Sequence, residues 1–337
     1  MRSLKFFISI LTLSCCFQSC FIEDRGMEPI PPKTIEFRTD IQSKGQIYYS
    51  LKDSKIVGES SLYDWDLGFD CRKNDFNIIV NSSKGMAAFN TGDKDFEKPF
   101  KHEAYPWKFD HPCGDLGMTC IGEWGDFSFE NPQSFENVYI LNLGIDREGK
   151  KLGLKKFKIH GFASKHYLIQ IANLDNTNSY SLVIPKRPDY NFTYLSTRDT
   201  GLIVHIEPRK QDWDLVISTY LDSLKDDSPD TKKITNELAL SAGVLQNRYK
   251  RLVALDTINS FEHLNFFDLN DLEFSHFINA IGNRWKKWDP DSNDYKISKY
   301  RQFVLQDLDG FYYAIEFERY QKIDVNKSII RLRVKNL

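Results

Sequence analysis

The sequence lacks the motifs that identify the best-known enzyme classes. No glycine-rich phosphate loop, Gly-x-Ser-x-Gly nucleophile motif or His-Glu-x-x-His metal motif occurs in its 337 residues. Each of those chemistries needs its residues at that spacing. No nucleophile with a base, and no acid–base pair, stands out either. We therefore predict a binding protein that is not an enzyme.

A basic stretch is also absent. The chain has 45 lysines and arginines against 47 aspartates and glutamates, and its net charge is −2 at pH 7. Proteins that bind nucleic acids carry a clustered basic surface that neutralises phosphates, so we expect no nucleic-acid partner. Aromatic residues, by contrast, make up 14% of the chain, which is typical of strands and recognition surfaces.

Long apolar runs are missing except near the N-terminus. Residues 6–17 form one mostly apolar run, preceded by the basic residues Arg2 and Lys5. The run is shorter than the roughly 20 residues that span a bilayer, and its length is typical of the apolar core of an export signal. We therefore expect an exported protein without a transmembrane segment.

A cysteine preceded by a small residue closes this segment at Cys20. The arrangement resembles the cleavage site of bacterial lipoproteins, so we predict that residues 1–19 are a signal peptide and that Cys20 is lipidated. Cys15 is a second candidate. The acidic residues Glu23 and Asp24 resemble the surface-export signal of Bacteroidetes lipoproteins. The expected location is the outer membrane, where the protein would be exposed on the surface and held only by its lipid.

Cysteine is scarce beyond Cys20, where only Cys71, Cys113 and Cys120 remain. Cys113 and Cys120 flank a short glycine-containing segment and could form a disulfide in an oxidising compartment. Two free thiols are the alternative, because spacing alone does not bring the two Cα atoms within bonding range. For Cys71 we expect a buried apolar thiol.

Helical periodicity is weak, and alternation of apolar and polar residues replaces it. Such alternation with period two, bounded by Gly, Asn and Asp clusters, predicts antiparallel strands with one buried face. The clearest examples are residues 138–143, 167–172, 311–318 and 330–334. The predicted fold class is all-β, with twisted antiparallel sheets and few short helices.

Two groups of residues recur in the same order along the chain. Trp65 lies in Asp-Trp-Asp-Leu, and the same four residues surround Trp213. An Ile-Gly pair then precedes Trp124 in the first half and Trp285 in the second. The shared order predicts two related lobes in which Trp65 and Trp213 occupy equivalent buried positions.

Proline-rich composition suggests the remaining boundaries. Residues 20–35 contain three prolines among polar residues and are predicted to form a flexible tether. The prolines at 185 and 188 suggest a division between an N-terminal β lobe, residues 36–187, and a C-terminal β lobe, residues 188–337.

Several motifs of the second half occur together in a known family. They are Asp212-Trp213-Asp214-Leu215, Tyr220, Gly282, Trp285, Tyr295-Lys296-Ile297-Ser298-Lys299, Asp309-Gly310, Phe317 and Tyr320. In this combination the chain resembles the HmuY-type haem-binding lipoproteins of Bacteroidetes over residues 200–337. The first half resembles the extra N-terminal β unit of longer relatives. The resemblance implies an outer-membrane lipoprotein that captures haem and passes it to a TonB-dependent receptor.

The chain departs from this family at one point that matters for iron. Relatives carry a haem-ligating histidine between the tryptophan and the Tyr-Lys-x-Ser-Lys stretch, whereas residues 286–294 contain no His and no Met. A bis-histidine site through this segment is therefore not expected. His263 lies about where the family's other ligand segment falls and is the first donor to test, since haem iron takes His or Met as axial ligands.

The same segment offers other groups for a planar, acidic ligand. Trp285 and Trp288 could form aromatic walls, and Lys286 and Lys287 between them could pair with carboxylates. A core tryptophan beside an exposed loop is the alternative interpretation. The second functional hypothesis is accordingly a surface module without haem ligation, which serves in glycan capture or envelope assembly.

Overall fold

Antiparallel strands form most of the molecule. The computed structural model describes residues 31–41, 43–198, 200–223, 238–324 and 326–337. The predicted signal peptide, Cys20 and most of the predicted tether lie outside these residues. Within them, no helix is long and apolar enough to cross a membrane. The predicted all-β class is confirmed.

In the described residues the strands are, in chain order, β1 Lys33–Asp40, β2 Gln46–Ser50, β3 Lys55–Ser60, β4 Leu67–Asp70, β5 Ile78–Val80, β6 Ala87–Asn90, β7 Gly125–Asp126, β8 Gln133–Ser134, β9 Val138–Asn142, β10 Leu154–Ala163, β11 His166–Ala172, β12 Tyr180–Pro185, β13 Phe192–Ser196, β14 Leu202–Val204, β15 Leu215–Ser223, β16 Leu238–Gln246, β17 Leu252–Asp256, β18 Lys286–Asp289, β19 Asp294–Ile297, β20 Gln302–Gln306, β21 Tyr312–Lys322 and β22 Lys327–Asn336. Short 3₁₀ helices lie at Ser82–Lys84, Leu116–Met118 and Phe266–Asp271.

Two sheets enclose one apolar core in the first lobe, which we define as residues 62–207. Their strand orders are β12-β11-β10-β9-β6 and β14-β13-β4-β5. Alternate residues of β10 and β11 enter the core, as Phe157 and Ile169 do at 0% and 1% exposure. The period-two alternation that predicted strands therefore also predicts which face is buried.

The second lobe, residues 33–60 and 210–337, repeats this plan. Its sheets have the orders β1-β22-β21-β20-β17 and β16-β15-β2-β3. Ile315, Phe317, Ile330 and Leu332 alternate into its core and are at most 3% exposed. The first three strands of this lobe come from the N-terminal end of the chain, and the other eight follow the first lobe in sequence.

The two lobes correspond strand for strand. β4, β5, β6, β9, β10, β11, β12, β13 and β14 take the places of β15, β16, β17, β20, β21, β22, β1, β2 and β3. The short hairpins β7–β8 and β18–β19 precede β9 and β20. The long strands also share a bulge, between Ile159 and Gly161 in β10 and between Phe317 and Arg319 in β21. This agreement supports the predicted repeat.

The predicted division at residue 188 does not coincide with the lobes. β1 and β2 pair with β22 and β15 of the second lobe, although they precede the first lobe in sequence. β13 lies beyond residue 188 but pairs with β4 of the first lobe. The reason is that strand pairing depends on matching sheet edges rather than on chain order. Lys33–Leu337 form one compact unit.

Trp65 and Trp213 lie in equivalent buried positions, as the repeat predicts. They are 7% and 5% exposed. Each indole packs edge-on against a tyrosine of the neighbouring strand, Tyr194 on β13 at 4.8 Å and Tyr48 on β2 at 5.0 Å. Such edge-to-face contacts add to the hydrophobic gain from burial.

The aspartate after each of these tryptophans forms a buried ion pair. Asp66 pairs with Lys84, and Asp214 pairs with Arg251 at 2.8 Å. The four side chains are between 1% and 4% exposed. Because an unpaired charge at such depth is costly, each aspartate requires its cation.

Cys113 and Cys120, the candidate disulfide pair, are both free thiols, and so is Cys71. The Cys113 sulfur lies 2.8 Å from His111 Nδ1, whereas Cys120 is buried in the apolar core of the first lobe. The two side chains therefore face different surroundings, and the structure has the free-thiol alternative. Cys71 is buried, as expected.

Candidate functional site

A groove of about 590 Å³ lies between the two lobes. The loop at residues 108–120 forms its wall on the side of the first lobe. The second lobe contributes β16, the segment at residues 275–284 and the β18–β19 hairpin. A volume of this size falls in the range of roughly 300–1,000 Å³ that is common for small-molecule sites.

The loop of the first lobe is held at both sides. The buried Asp110 carboxylate accepts hydrogen bonds from the backbone N–H groups of Val80 and Cys120, both at 2.8 Å. Burial raises the pKa of this carboxyl group. On the other side, the Ile278 N–H of the second lobe donates to the Cys113 carbonyl at 2.9 Å. The loop thus has a fixed position in the groove.

Three sulfur or imidazole side chains of this loop face the groove, namely His111, Cys113 and Met118. The His111 N–H donates to the Met118 carbonyl at 3.1 Å, which holds the two residues side by side. Met118 is 49% exposed, whereas Cys113 is 8% exposed. Burial raises the pKa of the Cys113 thiol.

The opposite wall is the β18–β19 hairpin. Trp288 lines the groove, is 46% exposed and contacts Tyr295 edge-on at 5.1 Å. Lys287 is exposed and also lines the groove. An ion pair between Lys296 and Asp289 joins the two strands, and its hydrogen bond lowers the pKa of Asp289 to about 2. The hairpin therefore offers an aromatic face and a cation to a ligand.

Lys286 differs from its neighbour, because successive side chains of a strand point to opposite faces. Its Nζ donates to the Ala242 carbonyl at 2.7 Å and lies 4.1–4.9 Å from the ring centres of Trp285, Tyr295 and Tyr320. Burial lowers its pKa to about 7. The ammonium group of Lys286 thus already has partners within the protein, whereas pairing with a ligand carboxylate stays a prediction for both lysines.

Trp285 and His263 do not line the groove. Trp285 is 1% exposed and stacks on Phe317 at 4.4 Å, so it is a core residue, which was the alternative interpretation. His263 is exposed and forms a hydrogen bond of 2.7 Å with Ser260. Of the predicted haem-binding residues, Lys286, Lys287 and Trp288 line the groove.

Comparison with known proteins identifies the family. The model of the HmuY protein family matches residues 42–332, which include nearly all of both lobes. The chain belongs to the HmuY family. No curated protein matches its sequence. The crystal structure of apo PinO from Porphyromonas gingivitis superposes with a TM-score of 0.26 at 8% identity, covering 90% of this chain and 97% of that chain.

In this HmuY-family chain, two donor side chains line the groove on a wall whose position the sequence did not predict. His111 and Met118 belong to the first lobe, more than 160 residues before the hairpin they face. Their proximity to Cys113 in sequence was the one available signal. That they face Trp288 and Lys287 depends on how the two lobes pack, which no local pattern encodes.

A smaller cavity of about 140 Å³ also lies between the lobes of the HmuY-family chain. Trp65, Trp213, Tyr48 and Tyr194 all contribute to its lining, so the repeat places equivalent residues around one space. Burial raises the pKa of Glu207, a further lining residue, to about 7. His111 and Met118 line this cavity as well as the groove.

Proposed function

We propose that this HmuY-family protein binds haem, or a closely similar planar porphyrin, in the groove between its lobes, and that it does so without catalysis. The observation that carries the proposal is the composition of the two walls. Trp288 and Lys287 face His111 and Met118 across one groove. A planar apolar ring with acidic side chains and a metal at its centre requires these three kinds of group.

The residues of the groove fit each part of such a ligand. Leu240, Phe277 and Trp288 supply apolar and aromatic surface, which must provide most of the affinity. An exposed lysine such as Lys287 adds only about 0–1 kcal/mol per ion pair. Haem iron accepts histidine nitrogen or methionine sulfur, and His111 and Met118 are the lining residues of these types.

The direct test is absorbance titration of the purified protein with haem. We expect a shifted Soret band in the wild type, and a changed band position with weaker binding in His111→Ala and Met118→Leu. His263→Ala is the matched control, because His263 lies outside the groove, and it should bind as the wild type does. Trp288→Ala should weaken binding without moving the band, since it removes a wall and no iron ligand.

Two outcomes would count against this proposal. No spectral change in the wild type would remove haem and favour the glycan-capture or envelope-assembly hypothesis. Loss of binding in His263→Ala, with His111→Ala unaffected, would place haem elsewhere on the second lobe. In either case the groove would need a different ligand.

We further propose that the protein is a lipid-anchored surface protein of the outer membrane that passes its ligand to a TonB-dependent receptor. The residues that support this are Cys20 and the acidic pair Glu23 and Asp24. Metabolic labelling with a fatty acid should mark the wild type and Cys15→Ala but not Cys20→Ala. Labelling of Cys20→Ala together with loss of labelling in Cys15→Ala would move the anchor to Cys15.

A further inference from the structure

The loop wall carries a set of soft donors that porphyrin binding alone does not explain. We propose that His111, Cys113 and Met118 form a binding site for a soft monovalent metal ion of the Cu(I) type. The three side chains belong to one loop and line one groove. This inference does not depend on haem, because it concerns the protein without any porphyrin.

The first two donors are already in contact. His111 Nδ1 lies 2.8 Å from Cys113 Sγ and accepts a hydrogen bond from the Cys113 backbone N–H at 3.2 Å. The imidazole and the thiol are therefore neighbours, and a metal ion would replace these two hydrogen bonds of Nδ1. The Asp115 N–H donates to the same sulfur at 3.3 Å and partly offsets the burial that raises the pKa of this thiol.

Met118 supplies the third donor. Its carbonyl accepts the His111 N–H at 3.1 Å, and its own N–H donates to the Asp115 carbonyl at 3.0 Å. The backbone thus holds it beside the histidine. Its side chain is 49% exposed on the groove, so the thioether can be reached from solvent and is not a core residue.

The donor types select the metal class. In the described part of the chain, no group of three or more His, Cys, Asp or Glu side chains could hold a metal ion, which leaves no ligand set typical of structural zinc. Thiolate and thioether sulfur favour Cu(I). On binding, the Cys113 S–H bond breaks, the proton leaves to solvent and a sulfur–copper bond forms. The cation and thiolate cancel each other's charge, which suits a cysteine that is only 8% exposed.

The experiment is anaerobic titration of the porphyrin-free full chain with Cu(I) against a chromogenic Cu(I) chelator. We expect Cys113→Ser to bind one metal equivalent fewer than the wild type. Because both proteins contain the same N-terminal cysteines, the difference between them excludes any metal bound there. His111→Ala and Met118→Leu should bind that equivalent at least tenfold more weakly. His102→Ala, an exposed histidine outside the groove, is the matched control and should bind normally. X-ray absorption should report nitrogen and sulfur ligands.

Equal stoichiometry and affinity in Cys113→Ser and wild type would overturn the site, because the metal would then lie elsewhere. Unchanged affinity in Met118→Leu would overturn the three-donor arrangement. Circular dichroism of each variant checks that the fold is intact. A protein that binds Cu(I) as described but gives no Soret shift with haem would support this inference and contradict the proposed function.

Discussion

Lys286 and Lys287 differ more than any sequence property of the two residues suggests. The sequence shows two adjacent lysines between two tryptophans, which indicates a cationic patch. Strand geometry then sends one side chain outward and the other inward. Because β18 begins at Lys286, alternation in this strand could have predicted that only one lysine stays exposed. Which one is buried depends on the tertiary contacts of the hairpin.

The buried ammonium group predicts a pH dependence of stability. The pKa of Lys286 is about 7 in the folded protein, against about 10.4 in an unfolded chain. Between these values the unfolded state binds more protons, so this residue makes the free energy of unfolding rise with pH. Lys286→Met removes that contribution. We compare the free energy of unfolding of the variant with that of the wild type at each pH. We expect the variant's value minus the wild-type value to decrease by at most about 1.4 kcal/mol per pH unit from pH 7 to pH 10.

Urea denaturation at several pH values measures this difference, and Lys287→Met is the matched control. Lys287 is exposed, so its removal should leave the pH dependence unchanged. A parallel pH profile for Lys286→Met and wild type would mean that the three surrounding rings hold the lysine charged throughout, which contradicts the expected direction.

At the scale of the element, each lobe contains the same unit, a tryptophan and an aspartate before a central strand. The side-chain Nδ2 of Asn81 donates to the Trp65 carbonyl at 2.8 Å, and that of Asn247 donates to the Trp213 carbonyl at 2.8 Å. The sequence predicted the repeated tryptophans from four identical residues, Asp-Trp-Asp-Leu. It could not predict the asparagines or the cations Lys84 and Arg251, because these partners are different residue types or stand at different spacings.

The ion pairs of this element should be important for stability in both lobes. Lys84→Met and Arg251→Met each leave a buried aspartate without its cation, and we expect a loss of about 3–5 kcal/mol in the free energy of unfolding. Lys44→Met is the control, because its pair with Glu59 is largely exposed and should contribute about 0–1 kcal/mol. Chemical denaturation provides the measurement. A loss below about 1 kcal/mol in both buried variants would mean that water or a proton compensates the aspartate.

At the scale of the whole molecule, the sequence did not predict which strands complete the sheets of the second lobe. In the first lobe, β12, β13 and β14 follow β11 directly. In the second lobe the chain ends at β22, and β1, β2 and β3 from the opposite end of the sequence fill the equivalent places. Composition and alternation identified the strands themselves. They could not assign β1 to β22, because this pairing joins residues nearly 300 positions apart.

Because β1 pairs with β22, we predict that a substitution near residue 37 destabilises the sheet formed by the last strands of the chain. Phe37 is 0% exposed, pairs with Ile330 and packs edge-on against Tyr49 at 5.2 Å. Phe37→Ala should cost about 3–5 kcal/mol. In hydrogen exchange, protection should fall in β20, β21 and β22 before it falls in β9, β10 and β11.

Ile184→Ala provides the matched comparison, because Ile184 is equally buried and lies on β12, the strand that takes the place of β1 in the first lobe. It should lower protection in β9, β10 and β11 first. Opposite responses to the two substitutions would show that each lobe is stabilised by its own core, although the second is assembled from both ends of the chain. If both substitutions lowered protection equally in both lobes, the two would unfold as one cooperative unit. The interface that forms the groove would then contribute as much stability as either core.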